Sequence, residues 1–465
     1  MSKAPPPILG SMRPDGSRLM VHPADVKGRW MTRRHLAFAA LIAFYVLAPL
    51  LPVGGHPAIQ LDVAHRRFYL FGQTFNAQDF WMVVLLALSF VFGLLFVTAW
   101  RGRVWCGWAC PQTVFLEGVY RPIERLFDGP RDRRIRDMSA PWSARKVARR
   151  AAKLGVYLIV SLAIAHTATA IFVGPRELFA MVREGPAAHQ IAFGLTMGFT
   201  AILMLNFTWF REQFCVVLCP YGRLQSVLHD RDSVTVAYDD GRGEPRGKLY
   251  KGEGEAERGD CIDCQRCVVV CPTAIDIRNG LQMECLACMQ CVDACDAVMD
   301  KVGRRRGLIG LYSQQRIAGE PTRVLRPRLL VYAALFLVSV TALGASLATR
   351  STFEANVLRP RGANPFVVDG EMVRNAFEIH LVNKGPAAAR YRIGVAAPVP
   401  AHVVVGTPEV EVPSLSDVRV PISVSIARAE LSTPVELAVT IEEEGSDRRR
   451  VQAVRFLAPF APPAR

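Results

Sequence analysis

No cysteine stands alone in these 465 residues. All twelve fall in C-x-x-C or C-x-x-x-C groupings, which disfavours a secreted disulfide framework and favours metal or redox chemistry in a reducing compartment. The chain also lacks a nucleophile–base pair, a phosphate loop and a zinc protease signature, so no hydrolytic reading offers itself. Gly252-Glu253-Gly254 precedes no strand–helix unit and reads as loop. The net charge of +15 comes without a long basic patch interleaved with aromatics. Its basic residues cluster beside apolar blocks, which points to a membrane surface and away from nucleic acid. Residues 351–465 have no cysteine at all, so that region must fold on core packing alone.

What is present is dense. Residues 261–295 read C-I-D-C-Q-R-C-V-V-V-C-P and, after a spacer, C-L-A-C-M-Q-C-V-D-A-C-D. Each half has the spacing C-x-x-C-x-x-C-x-x-x-C, the ligand run of bacterial two-cluster ferredoxins. Three close thiolates hold three corners of an iron–sulfur cube, and the distant fourth crosses to the other cluster. Cys261, Cys264, Cys267 and Cys295 are therefore expected to hold one [4Fe-4S] cluster, and Cys285, Cys288, Cys291 and Cys271 the other. A zinc site would need ligands in pairs, not two sets of four. Cys271 is followed by Pro272 but Cys295 by Asp296, which puts the turn at the second position in doubt.

Five apolar runs, 36–53, 80–100, 154–173, 191–210 and 329–348, are each long enough to cross a hydrocarbon core of about 30 Å at about 1.5 Å per residue. Arg33-Arg34 precede the first, but its length and the lack of a small-residue cleavage site favour a span over an export signal. Seven Lys and Arg precede the first run and twelve lie in 101–152, against two each in 54–79 and 174–190. The positive-inside rule then puts the N-terminus and the cysteine-rich stretch in the cytoplasm and the region after the fifth span outside. The basic segment 128–153 reads as a connection along anionic headgroups or as a solvated loop.

The expected architecture is a multi-domain membrane protein: a cytoplasmic disordered tail over 1–35, a four-helix membrane region over 36–227, a two-cluster ferredoxin-like α+β domain over 228–328, a fifth span over 329–348 and an immunoglobulin-like β-sandwich over 349–465. Strands are expected at 377–382, 389–395, 402–405, 418–425, 435–441 and 451–456, separated by turns.

The remaining cysteines form a repeat. Cys106 and Cys110 lie in R-V-W-C-G-W-A-C-P after the second run, and Cys215 and Cys219 in R-E-Q-F-C-V-V-L-C-P-Y-G-R after the fourth. Helices continuing through them would put each pair on one face, with Pro111 and Pro220 bending or ending them. Together the pairs make a four-thiolate site for Cu(I), zinc, a third cluster or a redox dithiol. Glu117 and Glu212 lie close by, where Arg103 or Arg211 would pair with them. Within the spans, His166 is a site candidate by default, and Met197 and Met204 are candidate soft ligands or packing.

This set of motifs resembles the CcoG family, also called FixG or RdxA, over nearly the whole chain apart from the tail. The resemblance implies a multi-pass protein of the bacterial inner membrane with the β domain in the periplasm. It implies an accessory role in assembling the cbb-type cytochrome c oxidase, directly or through its copper-delivery chaperones, by reducing Cu(II) to Cu(I). It also implies a dimer, and places copper or its reduction at Cys106, Cys110, Cys215 and Cys219. The electron donor is not implied. A quinol-linked membrane ferredoxin feeding another redox enzyme and a non-enzymatic copper chaperone or scaffold are the rival readings.

Overall fold

The computed structural model describes residues 20–76, 79–248, 258–360, 362, 364–385, 387–431 and 435–459. The chain forms two compact units, Met1–Gln73 with Phe80–Gly344, and Thr74–Asp79 with Ala345–Arg465.

In the first unit, Phe80–Arg101, Ala144–Val173, Gln190–Phe210 and Pro327–Ala348 are long and apolar enough to cross a membrane. Large apolar side chains on them, Ile159, Ile191, Leu195 and Val338 among them, are exposed, as helices facing hydrocarbon require. The helix of the first apolar run is shifted towards the N-terminus. It is Arg29–Leu47, which opens on Arg29, Arg33 and Arg34 and stops six residues before the apolar run does. The apolar helical part, 36–47, covers only about 18 Å at 1.5 Å per residue. Four helices among the described residues meet the requirement by length and composition.

Ala144–Val173 packs along Gln190–Leu205, with Thr169 Oγ1 and Thr196 Oγ1 2.8 Å apart. The packed centre is aromatic. Tyr120 stacks on Phe207 at 4.2 Å and meets Tyr157 edge-on, and the Tyr120 hydroxyl lies 2.8 Å from Ser161 Oγ.

The expected ferredoxin region is held by an antiparallel strand pair, Thr235–Tyr238 with Ile309–Tyr312, and by the helices Arg266–Val269 and Gln290–Lys301. Its core joins Val236, Ile275, Ile277, Val292, Met299 and Leu308 to the cysteines, and Trp30, Val104 and Trp108 pack on it from other parts of the chain. Residues 20–35 are therefore not a free tail. Val21 is buried, the Ala24 amide donates to the Val269 carbonyl at 2.9 Å, and the Met31 amide donates to Asp293 Oδ2 at 2.8 Å. Residues 1–19 lie outside the described residues.

The second unit is a β-sandwich. One antiparallel sheet runs Ala401–Val405, Asp417–Ala427, Met372–Asn383, Phe353–Leu358, with Val367–Asp369 also on Met372–Asn383. The other runs Glu409–Val412, Ala389–Ala396, Val435–Glu443, Arg449–Phe456. All six expected strands are present, and alternation puts Val373, Phe377, Ile379, Val424, Ile426 and Ile441 inside. Phe353–Leu358, Val367–Asp369 and Glu409–Val412 are additional. Residues 74–79 belong to this unit through Asp79, which receives Lys384 Nζ at 3.0 Å and Arg350 Nη2 at 2.7 Å.

Candidate metal centres

The two ferredoxin loops repeat one backbone conformation. Asp263 and Gln265 flank Cys264 with φ of 51° and 54°, and Ala287 and Met289 flank Cys288 with φ of 50° and 64°. Left-handed backbone is costly for residues with a Cβ and persists where the surroundings over-determine it. Its recurrence at matched positions bends both loops around a centre. Cys267, Cys264 and Cys261 bear on Cys295, while Cys271 bears on Cys285, Cys288 and Cys291. Cys267, Cys271, Cys285, Cys288 and Cys291 line one small cavity with Ile275 and Ile277.

Burial pushes the thiols of Cys267, Cys285 and Cys295 up to about 12 and that of Cys288 to about 11. Thiolates in such surroundings call for a cationic partner, which iron in a cluster supplies. All twelve cysteines are free. Among the described residues, no three His, Cys, Asp or Glu side chains converge tightly enough to hold a single ion. The fit to clusters rests on the donor set, the shared cavity and the matched loops. Asp296 has a plain reason to replace proline. Gln290–Lys301 runs as helix through it, where proline would clash, and its Oδ1 accepts the Gly307 amide at 2.9 Å.

The C-x-x-x-C-P repeat also shares a geometry, and it corrects the expectation for the prolines. Cys110 and Cys219 are N-caps, and Pro111 and Pro220 begin helices Pro111–Phe115 and Pro220–Leu228. Proline suits a first helical position because its missing N–H would have no partner there. Cys106 lies in the short helix Val104–Trp108 and Cys215 in the π-helical turn Phe214–Leu218. Two more π-turns, Leu116–Tyr120 and Asn206–Phe210, adjoin the motifs, as such turns often do at functional sites. The four thiols share one neighbourhood: Cys110, Cys106, Arg103 and Cys219 all bear on Cys215. Burial pushes Cys106, Cys110 and Cys215 up. Arg103 pulls all three back, and the Gln112 and Thr113 amides do the same at Cys110.

The two sites abut. A Cβ on Gly107, inside the first C-x-x-x-C-P, would lie 2.3 Å from the Leu286 carbonyl oxygen and 3.1 Å from Ala287. Only glycine lets the motif sit on the second cluster loop. Trp108 Nε1 donates to the Ala287 carbonyl at 3.2 Å, and Arg34 Nε donates to the Gly107 carbonyl at 2.8 Å. Buried Arg103 donates to the Met283 carbonyl. It lines a cavity with Gly222, His229 and Cys285, and Gly222 leaves room for its guanidinium, which a Cβ would approach at 2.8 Å.

Glu117 pairs with Arg121 at 2.5 Å and more distantly with Arg34, not with Arg103. Glu212 pairs with Arg121 at 3.5 Å and Arg211 at 3.8 Å. His166 and Met197 line a separate cavity, while Met204 packs against the Tyr120–Phe207 cluster. Sequence reasoning missed Arg34, Gly107, Trp108 and Gly222 as parts of the site. The glycine after the first cysteine of C-G-W-A-C-P and the one in C-P-Y-G were the available signals.

Comparison with known proteins agrees with this layout. Residues 210–315 match a 4Fe-4S dicluster domain, 82–130 a 4Fe-4S binding domain, and 343–459 the immunoglobulin-like fold at the C-terminus of FixG, a putative oxidoreductase. Protein RdxB of Cereibacter sphaeroides is 38% identical over 394 residues, 81% of each chain. Protein RdxA of the same organism is 36% identical over 396 residues, 81% of this chain and 82% of RdxA. The nitrogen fixation protein FixG of Rhizobium meliloti is 33% identical over 412 residues, 79% of this chain and 78% of FixG. With 33–38% identity to these relatives over about four fifths of its length, the chain belongs to the FixG/RdxA family of membrane iron–sulfur proteins.

Proposed function

We propose that this chain carries electrons from a cytoplasmic donor to Cu(II) and delivers Cu(I) for assembly of a cbb-type cytochrome c oxidase. The observation that carries the reading is the seating of the first C-x-x-x-C-P on the second cluster loop, through Gly107 and Trp108. Bound [4Fe-4S] clusters supply one-electron storage on the eight ferredoxin cysteines. Cys264, the exposed member of its set, marks the face open to a donor. Cys267 bears on Cys291, which links the two sets. Cys106, Cys110, Cys215 and Cys219 receive Cu(II), which takes up one electron and becomes Cu(I), the state thiolates favour. Arg103 offsets the thiolate charge.

In this reading the chain sits in the bacterial inner membrane as a homodimer. Its N-terminus and clusters face the cytoplasm, and the β-sandwich faces the periplasm, where it docks the oxidase or its copper chaperones. The test compares wild type with Cys110→Ala/Cys219→Ala by metal analysis and electron paramagnetic resonance. The variant is expected to keep both ferredoxin signals and to lose copper-dependent reoxidation. Unchanged reoxidation would remove the four thiols from the reaction.

A further inference from the structure

The four-thiol site lies at one end of the hairpin formed by Ala144–Val173 and Gln190–Phe210. The other end holds a cavity of about 160 Å³, between the last turns of the first helix, the short helix Pro175–Glu184 and the start of the second. Four of its twelve lining residues are His166, Met181, His189 and Met197. The whole chain has nine His and thirteen Met in 465 residues, so imidazole and thioether are concentrated here several-fold. The rest of the lining is nearly all apolar.

Each histidine has one ring nitrogen held by an oxygen. His166 Nδ1 lies 2.8 Å from the Leu162 carbonyl oxygen. A carbonyl only accepts, so Nδ1 carries the proton and Nε2 the lone pair. His189 Nε2 lies 2.6 Å from Glu184 Oε2, which leaves Nδ1 as its lone-pair nitrogen. A carbonyl or carboxylate behind the ring is the usual support of a metal-binding imidazole. Met181 and Met197 are unbranched and flexible enough to close on an ion.

Thioether with imidazole in an apolar pocket selects a soft monovalent ion over Zn²⁺ or Mg²⁺. We propose that His166, Met181, His189 and Met197 form a Cu(I) site at the end of the hairpin opposite the cysteines. The proposal goes beyond the reductase reading and does not depend on it. It concerns binding alone and involves no electron transfer.

The test uses the full-length protein in detergent under anaerobic conditions. Cu(I) is titrated against a chromophoric cuprous chelator, and Ag(I) retention is measured in parallel as a redox-inert probe. Met181→Leu/Met197→Leu nearly preserves volume. It is expected to lose one equivalent of Ag(I) and Cu(I), or to weaken that equivalent at least about tenfold, with iron content unchanged. His166→Gln is expected to do the same, and is read alone if the double variant loses iron. X-ray absorption is expected to detect nitrogen and thioether ligands that disappear in the variants. Unchanged affinity and stoichiometry in His166→Gln would overturn the site, whatever the clusters do with Cu(II).

Discussion

At the residue scale, Gly107 is the most exacting position. A Cβ there meets a backbone carbonyl at 2.3 Å, which cannot rotate away as a side chain would. Gly107→Ala is expected to cost about 1–3 kcal/mol from overpacking and to disturb the second cluster first. Electron paramagnetic resonance should show that signal weakened and the other intact; an unaltered spectrum would mean the two motifs do not touch. The crossover of ligands is testable in the same way. Cys295→Ser should remove the signal of the cluster on Cys261, Cys264 and Cys267, and Cys271→Ser the other, each losing about half of the ferredoxin iron. Loss of the same signal in both variants would refute the pairing. The cysteines were legible in the sequence because their spacing is itself the geometry. Arg34 was not, because its partner carbonyl on Gly107 is seventy-three residues away and nothing local marks it.

At the element scale, the segment from Met20 to the start of the Arg29–Leu47 helix straps the ferredoxin region. Its anchor, His22, lies 3.9 Å from Glu124. Burial lowers the His22 pKa to about 4; Glu124 opposes this, while Arg134, Arg211 and Arg121 add to it. Although burial alone would raise the Glu124 carboxyl, Arg211, Arg134 and Arg121 hold it at about 2, so it stays ionised through the same range. The folded pocket therefore takes neutral His22. Its contribution is complete above the unfolded value of 6.5 and is lost progressively as pH falls from there towards about 4. Amides 21–31 are expected to exchange faster at pH 5 than at pH 7 after correction for intrinsic rates, and equal protection would contradict the strap. Composition concealed this element. Residues 20–28 lack apolar periodicity, and only their distant partners give them order. The first apolar run shows the same thing: its helix begins earlier than the run itself, on arginines that bind Gly107 and stack on Trp30.

At the scale of the whole molecule, each unit has its own chemistry. Strand alternation made the β-sandwich readable, but the role of residues 74–79 was not, since Asp79 joins Lys384 across 305 positions. Lys384 is buried between Asp79 and Glu354, and Arg350 also holds Asp79. Lys384→Met leaves carboxylates buried with less compensation. It is expected to destabilise the sandwich by about 3 kcal/mol, as a lower unfolding midpoint while the cluster spectra persist. An unchanged midpoint would show that the triad contributes little. The joining of thiol repeat to ferredoxin loop was invisible in one dimension, because the two stretches are about 180 residues apart. That joining makes electron transfer to bound copper the central claim. The direct measurement is to reduce the full-length protein anaerobically, add Cu(II), and follow cluster absorption together with a cuprous indicator. The account predicts reoxidation of the clusters with one Cu(I) formed per electron lost. Clusters that stay reduced in the presence of Cu(II) would contradict it.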